Sequence, residues 1–416
     1  MKVFIRNSRI NGVIPAPQSK SYAIRYIFSS LLTQVRLLNL SLSEDVISAI
    51  NAVEALNVQY KGGVFSKGGR VKLVKNYVYL GNSAAVLRFF IPIFSVIGGE
   101  VIIDGGPTLR RRPINALIEA LSERGIKFSS KRLPLKVSGK LKENYIEVSG
   151  RESSQHISGF MIAFSIKGGG TIRVIDKIVS ESYIKITASV LKSIGVNVSI
   201  KGKKIDIDVT GKIGKFIGVV PGDYLLSSFY VASSLLTGGS IVVKGLPKPE
   251  DKILDHSIVA IYREMGARSF YENGSWFASP STSFKGISID VEDSPDLALS
   301  IVPLASVAET KTRISGISRL EIKESNRKEW IKRALKAFGV KVLVNDEIEV
   351  VGGCLTKGLV RCPNDHRIAM MVSPLALRCG GEIEKAECVY KSNPSFWSDL
   401  KSLGGTIRVE GSDDDI

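Results

Sequence analysis

Lys20 and Arg25 head an apolar stripe formed by Ile24, Ile27, Phe28, Leu31 and Leu32. That i, i+3, i+4, i+7, i+8 spacing predicts a helix beginning near Lys20, with Ser19 as its N-cap. Cations are disfavoured at such an end, where the macrodipole is positive and the first amides lack partners. The same oriented amides make a helix N-terminus an anion site, so basic side chains gathered there have a reason if an anionic ligand occupies the space. Other basic residues fit that chemistry: Arg88, Arg367, the arginines of "PTLRRRP" (residues 107–113), Lys323 and Arg327 beside Glu324 in "EIKESNRKEW", and Lys391. Several of the candidate residues have a plainer alternative. Arg110 to Arg112 read on their own as a solvated run and His366 beside Asp365 as a packed or capping histidine, while Lys323 and Arg327 fit an i, i+4 helix face and Asp293 and Asp296 fit cap residues.

The elements that must position these residues form a repeat. A polar cap, a helical apolar run and a Gly pair leading into a β-like segment recur along the chain, as in "NSAAVLRFFIPIFSVIGGEVIIDG" and "SSQHISGFMIAFSIKGGGTIRVID". The expected caps Asn82, Ser153, Asp223, Asp293 and Asn364 are separated by 71, 70, 70 and 71 residues, and Ser19 lies 63 before the first. Sixteen residues after their caps stand Gly98, Gly169, Gly239 and Gly380, with Glu309 the exception, and ten after theirs stand Pro92, Pro303 and Pro374. Interior proline costs a helix about 3 kcal/mol, so a shared offset indicates a shared local geometry. Each interval has room for roughly two helices and three or four short strands. Six such units predict two domains of three, with a break near "GVVPGDY", residues 218–224.

Composition narrows the partners. Among 416 residues, 57 Lys and Arg face 40 Asp and Glu, a net charge of +17 that attracts nucleic acid, anionic membrane, or phosphorylated and carboxylated metabolites. The start "MKVFIRNSRI" lacks the apolar core of a signal peptide, and the longest greasy stretch, residues 84–98, is interrupted by Arg88, so a soluble cytoplasmic protein is expected. Cys354, Cys362, Cys379 and Cys388 fall at no zinc-like spacing and read as buried core thiols. The phosphate-loop, dinucleotide and zinc-protease signatures are absent, and the end "EGSDDDI" reads as a solvated tail.

Read together, "SKSYAIR", "GNSAAVLR", "RRRPINALIEAL", "SSQHISGF", "SESYIKIT", "VPGDY", "SPDLALS", "IKESNR" and "NDHRIAM" occur in an order that strongly resembles 5-enolpyruvylshikimate-3-phosphate synthase, from about residue 15 to about residue 397. The resemblance implies an α/β fold, a two-domain inverse α/β barrel of six βαβαββ repeats, three per domain, closing on substrates in a cleft. It places residues 15–221 in one domain, and residues 1–14 with 222–416 in the other, which the N-terminal strand completes. It implies transfer of an enolpyruvyl group from phosphoenolpyruvate to the 5-hydroxyl of shikimate 3-phosphate, with no metal and no cofactor, by a monomer that engages neither nucleic acid nor membrane. By motif, Lys20, Ser21, Arg25, Ser153, Ser154, Gln155, Ser180, Tyr183, Asp296 and Lys323 would bind shikimate 3-phosphate. Lys20, Asn82, Ala84, Arg112, Gln155, Arg327, Arg367 and Lys391 would surround phosphoenolpyruvate. Asp296, Glu324 and Lys20 would move protons while charge is held on phosphate and carboxylate.

Departures from the family pattern carry their own expectations. Ala84 and Ala85 replace Gly and Thr, Phe89 replaces Pro, and Asn326 replaces Asp. A methyl at position 84 narrows the space beside phosphoenolpyruvate and is expected to reduce sensitivity to glyphosate, while Asn326 removes a charge able to orient Arg327. The related UDP-N-acetylglucosamine enolpyruvyl transferases are disfavoured because Pro107 stands where their loop cysteine would be. A nucleic-acid-binding repeat protein is disfavoured because no aromatic and basic interleaving of the RNA-recognition kind occurs.

Overall fold

A computed structural model of the chain describes residues 1–251 and 253–411. The charged end beyond residue 411, read above as a solvated tail, lies outside the described residues. The chain divides into two compact units: a continuous one, Ser19–Val220, and a split one made of Met1–Gln18 and Pro221–Ile416. Each unit has its own apolar core. The continuous unit carries helices α1 (Lys20–Ser29), α2 (Glu44–Glu54), α3 (Ala84–Ile97), α4 (Asn115–Ser122), α5 (Ser154–Lys167) and α6 (Ser182–Ser193). The split unit carries α7 (Tyr224–Leu236), α8 (Ile258–Glu264), α9 (Leu297–Ala305), α10 (Arg327–Ala337), α11 (His366–Cys379) and α12 (Phe396–Ser402).

Helices α3, α7 and α9 are the most apolar, and their sequences explain where they sit. Every residue of α7 and of α9 is buried, as is all of α3 except Ala85 and Ile97. A helix apolar all round needs protein on every side. By contrast α10 buries only Arg327, Ile331, Ala334 and Leu335, one stripe at i, i+4, i+7, i+8. Around these helices the described residues form six four-stranded sheets on one plan, a parallel pair extended by two antiparallel strands. In one of them Tyr145–Val148 runs parallel to Gly169–Val174, which pairs antiparallel with Lys204–Asp208, which pairs antiparallel with Asn197–Lys201. Helices inside and sheets outside make each unit an inverse α/β barrel.

Three sheets are completed by distant chain. In the continuous unit Phe216–Gly218 returns to run parallel to Val35–Leu37. In the split unit Gly12–Pro15 runs parallel to Ile241–Lys244, and Lys2–Ile5 lies between Gly381–Glu384 and Ile407–Glu410.

The prolines and glycines of the repeat stand where its offsets put them. Pro92, Pro303 and Pro374 lie inside α3, α9 and α11. Gly98 and Gly380 follow α3 and α11 with φ of 85° and 82°, a backbone that turns helix directly into strand and that side chains disfavour. The caps need correction. Ser19, Ser153 and Asp223 occupy N-cap positions as expected, the last two accepting from Gln155 N and Leu226 N, whereas Ser19 makes no side-chain cap bond. The other three are Ser83, Asp296 and Asp365, not Asn82, Asp293 and Asn364. Asn364 adopts a left-handed φ of 62°, which hands the cap to Asp365, while the turn at Val291–Ser294 and Pro295 delay α9. Of the four thiols Cys362 and Cys388 are buried as expected, but Cys354 is exposed and Cys379 half-buried. Among the described residues no helix is long and apolar enough to cross a membrane.

Candidate active site

In the continuous unit the site begins with a close helix contact. Gly159 of α5 lies so near α3 that a Cβ there would stand 2.5 Å from the Arg88 carbonyl and 3.0 Å from Pro92 Cγ. That approach brings the first turn of α5 to Arg88, whose guanidinium donates to Gln155 Oε1 at 3.0 Å, Ser153 Oγ at 3.4 Å and the Pro113 carbonyl at 2.8 Å. Arg25 of α1 is also buried. It donates to Thr187 Oγ1 at 2.7 Å and to the carbonyls of Ser21 (2.8 Å) and Tyr183 (3.1 Å), with the Phe89 ring 5.1 Å away. Burial pulls its pKa down to about 10, so it remains a cation at neutral pH. Lys20, the first residue of α1, pairs instead with Asp45 in the first turn of α2 at 2.6 Å.

The remaining predicted residues of this unit frame that cluster. Ser154 opens α5, and Ser180, buried, holds a left-handed φ of 52° just before α6, which carries Tyr183. Strain of that kind in a non-glycine residue persists only where its surroundings enforce it. Ala84 is the buried first residue of α3. Asn82 accepts from Thr108 Oγ1 at 2.6 Å and so ties that helix to the arginine stretch. Within the stretch Arg110 pairs with Asp104, and Arg112 lies at the end of a short 3-10 turn, Leu109–Arg111.

The split unit assembles a network of opposite charges. Arg327 opens α10 and is 1% exposed. Its guanidinium grips both oxygens of Asp365, at 2.8 and 3.0 Å, and also reaches Asp296 Oδ1 at 2.7 Å and Glu324 Oε2 at 2.8 Å. Lys323 approaches Asp296 Oδ1 at 3.1 Å, Arg367 approaches Asp296 Oδ2 at 3.2 Å, and Lys391 lies 3.3 Å from Glu324 Oε1. The separate motifs around positions 296, 323–327, 365–367 and 391 therefore meet in space. Lys323 and Arg327 do not share a helix face, because Lys323 precedes α10 in extended backbone. Asn326 caps α10 by accepting from Glu329 N, and three carboxylates other than position 326 orient Arg327. Buried His366 leaves the cap to Asp365 and lies 4.0 Å from that carboxylate.

Electrostatics follow from this packing. Burial by itself would raise the Asp296 carboxyl, but Lys323, Arg327 and Arg367 outweigh it and hold the group well below the ordinary carboxylate range. Lys323 is drawn down to about 8, mainly by burial, with Arg327 and Arg319 adding to it and Asp296 opposing. Arg327 loses to burial less than it gains from Asp365, Glu324 and Asp296, so it stays above its ordinary value. An ionised carboxylate under three cations suits both anion binding and regulated proton transfer. Among the described residues no cluster of three His, Cys, Asp or Glu is placed to hold a metal ion.

Spacing missed three partners: Asp45 for Lys20, Asp365 for Arg327, and Thr187 for Arg25. They lie 25, 38 and 162 residues from those they hold. A buried acid in a first helical turn was the one available signal for Asp45.

The inverse barrels place the chain with proteins of the enolpyruvyl transferase fold. The enolpyruvyl transferase NikO from Streptomyces tendae superposes with a TM-score of 0.74 at 15% identity over 98% of each chain. An EPSP synthase from Acinetobacter baumannii superposes with a TM-score of 0.80 at 23% identity, covering 98% of this chain and 99% of that one. The chain belongs to the EPSP synthase (3-phosphoshikimate 1-carboxyvinyltransferase) family, whose model matches residues 5–400. It is 49% identical over 410 residues to the 3-phosphoshikimate 1-carboxyvinyltransferase of Sulfurisphaera tokodaii, covering 98% of this chain and all of that one. It is 47% identical over 415 residues to that of Saccharolobus solfataricus, covering 99% and all.

Proposed function

We infer that this chain is a 3-phosphoshikimate 1-carboxyvinyltransferase of the shikimate pathway. It joins the 5-hydroxyl oxygen of shikimate 3-phosphate to C2 of phosphoenolpyruvate, and phosphate leaves through a tetrahedral intermediate. The observation that carries the catalytic part is Asp296, with Lys323, Arg327 and Arg367 all upon it. In this reading Ser21, Arg25, Ser153, Ser154, Ser180, Tyr183, Asp296 and Lys323 bind shikimate 3-phosphate. Asn82, Ala84, Arg112, Arg327, Arg367 and Lys391 serve phosphoenolpyruvate, and Lys20 and Gln155 serve both.

Asp296 takes the hydroxyl proton as the new C–O bond forms. Glu324 and Lys20 supply a proton to the methylene carbon on addition, remove one on elimination, and protonate the bridge oxygen as phosphate departs. The ion pairs give this order a physical logic. A base under three cations is weak, and a phosphate or carboxylate that recruits one of them strengthens the base as the substrate arrives. The reading treats the enzyme as a cytoplasmic monomer.

Phosphate release from phosphoenolpyruvate, with and without shikimate 3-phosphate, tests the assignment. Release is expected with both substrates, and Asp296→Ala should lower it about 10²–10⁴-fold. Release that needs UDP-N-acetylglucosamine instead would overturn it.

A further inference from the structure

Glu152 and His156 have no role in the reaction above, although they flank Ser153 and Gln155. The Glu152 side chain is 16% exposed and His156, one turn on, is fully buried, with its Nε2 3.2 Å from Glu152 Oε1. The other carboxylate oxygen, Oε2, accepts from the Ala116 N–H at 3.3 Å, in the first turn of α4. The cap position of that helix, Ile114, brings no side-chain acceptor of its own. Glu152 therefore caps a helix 36 residues away in sequence.

That helix begins directly after Arg112 and Pro113. The Pro113 carbonyl accepts from Arg88, and Arg88 in turn donates to Gln155 on α5. The contacts close a ring: α5 to the head of α4 through Glu152, the approach to α4 onto Arg88 through Pro113, and Arg88 back to α5 through Gln155. Burial pushes the Glu152 carboxyl up against the opposing pull of Arg88, while burial and Arg88 together keep His156 neutral. Buried polar groups of this kind cost stability unless what they hold offsets it.

We propose that Glu152 is a positioning residue that fixes where Arg112 stands relative to Gln155, and thereby sets the affinity for phosphoenolpyruvate. This rests on the assignment of Arg112 and Gln155 to that substrate.

Steady-state kinetics with Glu152→Ala, Glu152→Asp, Glu152→Gln and Arg112→Ala test it. Losing a helix cap of ordinary strength is expected to raise the KM for phosphoenolpyruvate about tenfold in the Ala variant, with kcat and the KM for shikimate 3-phosphate within about twofold. The Asp variant, one methylene shorter, should show the same split even if the Ala variant does not fold. The Gln variant keeps an oxygen for the Ala116 N–H and should return the KM to within about threefold of the parent. A parental KM in the Asp variant, or a loss spread evenly over kcat and both KM values, would overturn the proposal. An unchanged KM in Arg112→Ala would instead sink the underlying assignment. A raised KM there, beside a parental one in the Asp variant, would reject the positioning role alone.

Discussion

Arg25 and Arg88 in the continuous unit rest on hydroxyls, carbonyls and an amide, whereas Arg327, Lys323, Arg367 and Lys391 in the split unit rest on Asp296, Glu324 and Asp365. Except for Lys391, which ends a 3-10 turn, these cations lie near helix starts, against the macrodipole. The partners make the difference. A guanidinium on neutral acceptors keeps its full charge for an incoming anion, and a cation on a carboxylate must be traded for one. Under the proposed function, this comparison has the first unit hold substrate and the second couple holding to proton transfer. Lys20 on Asp45 is the instructive exception, a carboxylate-paired cation in the first unit assigned to the chemistry rather than to binding alone.

The sharpest way to break the comparison is Asp365→Asn, which strips charge from the bidentate partner of buried Arg327. Breaking a buried pair costs about 3–5 kcal/mol. Calorimetry should then show the split unit melting roughly 6–20 °C lower. A melt unchanged within error would mean that Asp296 and Glu324 suffice. Next in size, Arg25→Ala removes a cation with neutral partners. It should weaken shikimate 3-phosphate binding by about 1.5–3 kcal/mol, seen by titration calorimetry, while leaving the split unit's melt in place.

A smaller effect concerns pH. Lys323 titrates near 8 against an ordinary 10.5, so between those values the unfolded chain binds more protons and this group's contribution to stability rises with pH. Activity should move the other way. The kcat/KM for shikimate 3-phosphate is expected to fall about tenfold per pH unit above 8, with the limb displaced upward in Lys323→Arg. Smallest of all, Ala84→Gly should lower the inhibition constant for glyphosate by about tenfold, the low end of what one methyl in a pocket is worth. An unchanged constant would remove Ala84 from the account.

The helical framework was legible because its signals are local. Apolar periodicity, Gly98, Gly380 and the three interior prolines each act within one turn, and the structure keeps them. Two of the caps slipped for local reasons no spacing shows: Asn364 is left-handed, and the turn at Val291–Ser294 with Pro295 delays α9. Family motifs named most of the charged network, but not that Asp365 is the main anchor of Arg327 or that Glu152 caps α4. Those are pairings between side chains far apart in sequence, and no spacing rule reaches them.

The strand Lys2–Ile5 lies between two strands that close the chain, Gly381–Glu384 and Ile407–Glu410. During synthesis the continuous unit has all its strands once Val220 has emerged, but this first strand waits for nearly the whole remaining chain. At 5–20 residues per second the delay is roughly 20–80 s. The pairing of longest range in the split unit is thus the last to become available during synthesis, and until then the edges of that first strand stay open.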